Sequence, residues 1–186
     1  MTMDVVARSC GISKRTLYEE FPDKRTLIEV CLDAEATERD RECQRIFEES
    51  EDSFVAMFRI FTIFRTHLRS TSRAYYDDLR RLYPDAMKRH NHNEKEASHM
   101  LANVLRRAQQ EGLVAENANP DIAAFLFMTL ISSLNNQPER MAAYGFTEQS
   151  VADELFLGFL RSSATLKGIS KINALARQTG RYAVSV

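Results

Sequence analysis

Apolar residues in this chain recur every three or four positions, and no segment of useful length alternates with period two. A period near 3.6 puts side chains on one face of a helix, whereas a half-buried strand needs a period of two. The chain is therefore expected to be all-α. Only 6 Gly and 4 Pro interrupt its 186 residues, which leaves room for long helices. No apolar run approaches the roughly 18 residues of a membrane-spanning helix, so no membrane partner is expected. The N-terminus lacks a basic stretch followed by an apolar one, so it does not read as a signal peptide. The three cysteines, Cys10, Cys31 and Cys43, show no pairing pattern. That points to a reducing cytoplasm, with each cysteine acting as a small hydrophobe.

Punctuation along the chain sets the expected elements. Thr2 can cap a short helix that ends at Cys10-Gly11-Ile12, with Met3, Val6 and Ala7 on one face. Ser13 caps a second, from Lys14 to Phe21, which Pro22 stops. Asp23 caps a third, with Leu27, Val30, Cys31 and Ala34 on one side. This third helix has a charged waist from Glu35 to Arg45 before Ile46 and Phe47, so it is expected to join two domains. The boundary is placed at 45: residues 1–45 as a head, residues 46–186 as a body.

In the body, Phe54 to Leu68 is apolar nearly all round and should be buried. An aromatic segment with Tyr75, Tyr76, Leu79, Leu82 and Tyr83 follows. Pro84 opens a helix that runs to about Gln110, and Gly112 ends it. Asn119-Pro120 starts another, carrying Ile122, Phe125, Leu126, Thr129 and Leu130. Pro138 and Gly145 mark a loop, and Thr147 caps a last long helix with Val151, Leu155, Phe159 and Leu160. Patterning weakens after about Gly168.

The formal net charge of -1 gives no sign of a nucleic-acid partner, so any such sign must be local. It lies between Thr2 and Lys24. Two short helices meet at a glycine turn, and the second presents Lys14, Arg15, Thr16 and Tyr18, the layout of a helix-turn-helix. The second helix would be roughly 13 Å long and fits a major groove about 12 Å wide.

These residues carry a family resemblance. The run Gly11-Ile12-Ser13-Lys14-Arg15-Thr16-Leu17-Tyr18, followed by Phe21 and Lys24, resembles the DNA-binding domain of the tetracycline-repressor (TetR) family. The motif covers the first thirty or so residues; the rest agrees in helical layout. The resemblance implies a DNA-binding regulator, most simply a repressor released from double-stranded operator DNA by a small, mainly apolar effector. It implies that Thr2, Tyr18 and Lys24 hold phosphates, that Ser13, Lys14, Arg15 and Thr16 approach bases and backbone, and that Leu17 and Phe21 are core. It implies a two-fold homodimer built by the last two long helices, with Phe125, Thr129, Leu155, Gly158, Phe159 and Ser162 at the interface. Two departures stand out. Members carry a further helix before this motif, and this chain starts directly at the second one, so its head is expected to be loose. Glu20 replaces the family's frequent His or Tyr, so no phosphate contact is carried over there.

An effector pocket is expected from Phe58, Phe61 and Phe64, with Tyr75, Tyr76, Tyr83 and His90 as polar tips. The same stripe is also what a plain packed core needs. His92, Glu96 and His99 share a helix face but lack a metal-binding signature, so neither metal nor cofactor is expected. No nucleophile–base pairing or phosphate loop stands out, so the chain is not expected to be an enzyme. Two alternatives stay open. A helical interaction module that has lost DNA binding would fail a DNA titration; an enzyme would show turnover.

Overall fold

A computed structural model describes residues 2–68, 73–134 and 137–179, without the side chains of 66–68, 73–76, 89–91 and 138. Ten helices are described: α1 (Met3–Ser9), α2 (Lys14–Glu20), α3 (Lys24–Glu49), α4 (Ser53–Leu68), α5 (Arg73–Leu82), α6 (Pro84–Gln110), α7 (Pro120–Leu134), α8 (Pro138–Ala143), α9 (Glu148–Ser162) and α10 (Leu166–Gln178). Among the described residues the one extended pairing is an isolated bridge between Val114 and Ala164. The fold is all-α, a helix-turn-helix head on a helical bundle.

Short-range chemistry sets the head. Thr2 caps α1 by accepting from the Val5 amide, and Gly11 turns the chain at φ 67°. Ser13 Oγ accepts from the Thr16 amide at 3.0 Å and starts α2. Phe21 leaves the helix in extended backbone before Pro22. Asp23 then accepts from the Thr26 amide at 2.8 Å and opens α3. Met3, Ala7, Leu17 and Leu27 form a small buried core, with Val6 and Phe21 packed at its edge.

The helix α3 buries Leu27, Leu32, Ala36 and Ile46. Val30, Cys31 and Ala34, expected on the covered side, are exposed. The physical reason is a change of neighbour. Leu27 faces α1 and α2, whereas Leu32 joins Leu79 and Ala86 in a separate cluster with Ile28, Tyr83 and Met87. The step of five residues from Leu27 to Leu32 turns a helix through about 140°. Cys10 is exposed as well and Cys43 is half-buried, so two of the three cysteines are not packed hydrophobes. Because α3 is continuous to Glu49, position 45 falls inside a helix.

At its far end α3 is tied to the body. The Arg107 guanidinium lies 4.5 Å from the centre of the Phe47 ring and donates to the Phe47 carbonyl. Arg107 also holds Glu111, whose carboxylate accepts from the Ser53 amide that begins α4. The Asp52 carboxylate sits beside Lys171 of α10 at 2.7 Å. Burial pushes its pKa up, but hydrogen bonds from Lys171 and the Val55 amide outweigh that and hold it below its usual value.

The large core joins α4, α6, α7, α9 and α10. Phe156 is its aromatic centre: Phe61 stacks on it at 4.0 Å and Phe58 meets it edge-on at 5.2 Å. Two elements escaped the sequence reading. The six residues of α8 form a helix where a loop was expected. The helix α10 forms in the weakly patterned tail, burying Gly168, Ile172 and Ala176. That stripe is narrow and partly made of small residues, so its periodicity is faint. Gly168 is required by close approach: a Cβ there would run into the Leu113 carbonyl oxygen. Thr165 fixes the same joint by donating to the Gly112 carbonyl at 2.7 Å.

Candidate nucleic-acid interface

One surface of the head carries Lys14, Arg15, Thr16 and Tyr18, all exposed. The cap geometry accounts for two hydroxyls there. Ser13 Oγ and Thr16 Oγ1 lie 2.8 Å apart, so both are engaged at the start of α2. Lys14 Nζ reaches back across the turn to Asp4 Oδ1 of α1 at 2.8 Å and sits 5.8 Å from the centre of the Tyr18 ring. The hydrogen bond to Asp4 raises the Lys14 pKa, which keeps the ammonium charged. Arg15, one turn before Glu19, pairs with it at 2.9 Å. Tyr18 is 43% exposed. A short capped helix with two cations and a phenol on its open face can enter a groove and meet both base edges and phosphates.

Lys24 is placed differently from the others. Its ammonium lies 5.5 Å from the centre of the Tyr83 ring, on the body side of the head. Its neighbour Arg25 pairs with Asp85 at 3.5 Å. These contacts join the first turn of α3 to the corner between α5 and α6. Sequence reading missed Arg25 and Asp85, because a pair sixty residues apart leaves no local signal.

The expected effector residues do not share one surroundings. Phe58 and Phe61 are buried against Phe156, facing a ring rather than a void. Phe64 is half-buried beside Phe61. Tyr83 belongs to the other cluster, with Leu32, Leu79 and Ala86. The side chains of Tyr75, Tyr76 and His90 lie outside the described residues.

The helix α7 separates two open grooves. Leu155, Gly158, Phe159 and Ser162 line one of ≈ 540 Å³ between α7 and α9. Phe125 and Thr129 line the other, of ≈ 560 Å³, between α6 and α7, together with His99. The ridge between them exposes Ile122, Phe125, Leu126 and Leu130, each about half exposed or more. Ile122, Leu126 and Leu130 were not singled out for the interface from sequence, although they recur every four residues along α7. Among the described residues no cluster of His, Cys, Asp and Glu is arranged to hold a metal. No described helix is long and apolar enough to cross a membrane.

A helix-turn-helix head on a helical body defines a class of DNA-binding regulator. Comparison with known proteins narrows it. Residues 1–31 match the family described as bacterial regulatory proteins, tetR family, and residues 35–136 match the tetracyclin repressor-like C-terminal domain. The chain belongs to the TetR family of transcriptional regulators. Among solved structures, a transcriptional regulator from Cytophaga hutchinsonii has a similar fold. Its TM-score is 0.71 at 18% identity, covering 89% of each chain. No curated protein sequence matches the chain.

Proposed function

We propose that this chain is a cytoplasmic repressor, acting by binding and not by turnover. It forms a two-fold homodimer, holds a near-palindromic operator through two recognition helices, and leaves it when a small, mainly apolar ligand binds the body. The observation that carries this reading is the pairing of two uncovered surfaces on one chain. One is the exposed face of α2 with Lys14, Arg15, Thr16 and Tyr18; the other is the apolar ridge of α7 beside α9. A single recognition helix contacts few bases, and specificity comes from two heads one DNA turn, about 34 Å, apart. A second copy seated on α7 and α9 supplies the second head and covers Ile122, Phe125, Leu126 and Leu130.

The switch runs through α3. Its first turn touches the α5–α6 corner through Lys24–Tyr83 and Arg25–Asp85, and its last turn is held by Arg107. A ligand entering between α4 and α9 has to replace the Phe61–Phe156 stack. Parting those helices shifts the corner, tilts α3 and changes the spacing of the heads. The coupling this requires is typically about 1–3 kcal/mol, and DNA must disfavour the ligand by the same amount.

Selection from a pool of random duplexes tests the DNA reading, with a near-palindromic sequence as the expected product. Light scattering at micromolar concentration tests the assembly: a dimer mass is expected, and Phe125→Glu should yield monomers of unchanged helicity. A monomeric unmodified protein, or a pool with nothing enriched, overturns the proposal.

A further inference from the structure

The head is poor in free positive charge for a DNA-binding surface. Its first 25 residues carry five basic and four acidic side chains. Affinity for DNA of any sequence comes mainly from cations set against phosphates. Here the two cations at the front of α2 already face carboxylates: Lys14 faces Asp4 at 2.8 Å, and Arg15 faces Glu19 at 2.9 Å. The first pair differs in kind from the second. Arg15 and Glu19 lie one turn apart on one helix, a common surface arrangement. Asp4 and Lys14 come from different helices and meet across the Gly11 turn, and the Tyr18 ring bounds the ammonium on a further side. Both side chains are more than half exposed, so the pair contributes little to folding. Its consequence is for what approaches Lys14 from outside.

A phosphate drawn to Lys14 also meets the charge of Asp4, and the pair as a whole offers it no net attraction. A base edge is neutral. The ammonium has three N–H donors, so it can keep Asp4 and still give the others to acceptors such as guanine O6 and N7. The pair is therefore nearly silent toward backbone and still competent toward bases. We propose that Asp4 is a specificity-determining residue of the DNA interface: by holding Lys14 it lowers the affinity for duplex in general more than the affinity for the operator. This inference rests on the DNA-binding reading above.

The test uses the full chain and two probes: the duplex that the unmodified protein enriches from a random pool, and a mixed-sequence duplex of equal length. Asp4→Asn keeps the shape and removes the charge. It should tighten binding to the mixed duplex about ten-fold and to the enriched duplex about three-fold or less. The salt dependence on the mixed duplex should steepen by about one in log–log slope per head, as Lys14 becomes a phosphate contact. Combined with Lys14→Met, the Asp4→Asn effect on the mixed duplex should shrink to about three-fold or less, because no ammonium is freed to contact a phosphate. Lys14→Met alone is a second arm that does not depend on how well Asp4→Asn folds. It should weaken the enriched duplex about ten-fold more than the mixed one: the enriched duplex loses a base contact, and both meet the charge of an unpaired Asp4. Equal tightening on both probes, an unchanged salt slope, an undiminished effect without Lys14, or equal losses on both probes in Lys14→Met overturns the inference alone. Failure of the unmodified protein to retain any duplex overturns the DNA reading, and this inference with it.

Discussion

The head rests on four buried residues, Met3, Ala7, Leu17 and Leu27, while the body joins five helices around the Phe58–Phe61–Phe156 rings. The two regions share α3 but not a core, since the cluster around Leu32 and Leu79 lies between them as a third. A region's resistance to opening follows its buried apolar contacts. The body should therefore hold its shape while the head opens and adjusts on DNA. The difference also explains where exposed apolar surface collects. On the head it is scattered over Val5, Ile12, Tyr18 and Val30, whereas on α7 it forms one continuous ridge. A continuous ridge suits one large, lasting contact; scattered residues do not.

The largest effect is expected in the body. Phe156→Ala removes the ring on which Phe61 and Phe58 pack and should cost about 3–5 kcal/mol of global stability in urea unfolding. Thermal melting and body amide exchange should fall together. Next comes Leu17→Ala, which hollows the head and should cost about 2 kcal/mol or more locally. DNA binding should be lost while the body's exchange protection stays as it was. If both substitutions displaced one common transition by similar amounts, the two regions would be a single cooperative unit and the comparison would break.

The smallest effect concerns pH. The Asp23 carboxyl is held below its ordinary value of 3.8, first because it accepts from the Thr26 amide and then from the Thr26 hydroxyl. A lowered folded-state pKa stabilises the fold above the unfolded value, and that contribution is lost as pH falls through the folded one. Exchange protection of the Thr26 amide should thus drop below about pH 4 in the unmodified head. In Asp23→Asn this pH response should disappear. A response that survived the substitution would place the titrating group elsewhere and blur the distinction between the capped head and the body.

Most helix starts were legible from single residues. Thr2, Ser13, Asp23 and Thr147 each accept from the amide three residues on, as the sequence predicts for caps. Gly11 and Pro22 mark the head's turns for reasons that involve only their own backbone. Such features depend on atoms a few residues apart, and so does the motif that leads to the TetR family. The face that each helix covers was less legible. The switch of α3 from Leu27 to Leu32, and the docking of α10 through Gly168, depend on which distant element arrives.

The sequence by itself therefore determined the helical class, the order of the main helices and the helix-turn-helix, because capping, chain turning and helical periodicity are local. Tertiary structure decided that Phe58 and Phe61 meet Phe156 while Tyr83 meets Leu79. A stripe of aromatic residues has the same period whether it faces a ring, a ligand or a second chain. It also decided that Lys14 faces Asp4 across the turn, since a charge on one helix finds its partner only when another helix brings it within reach.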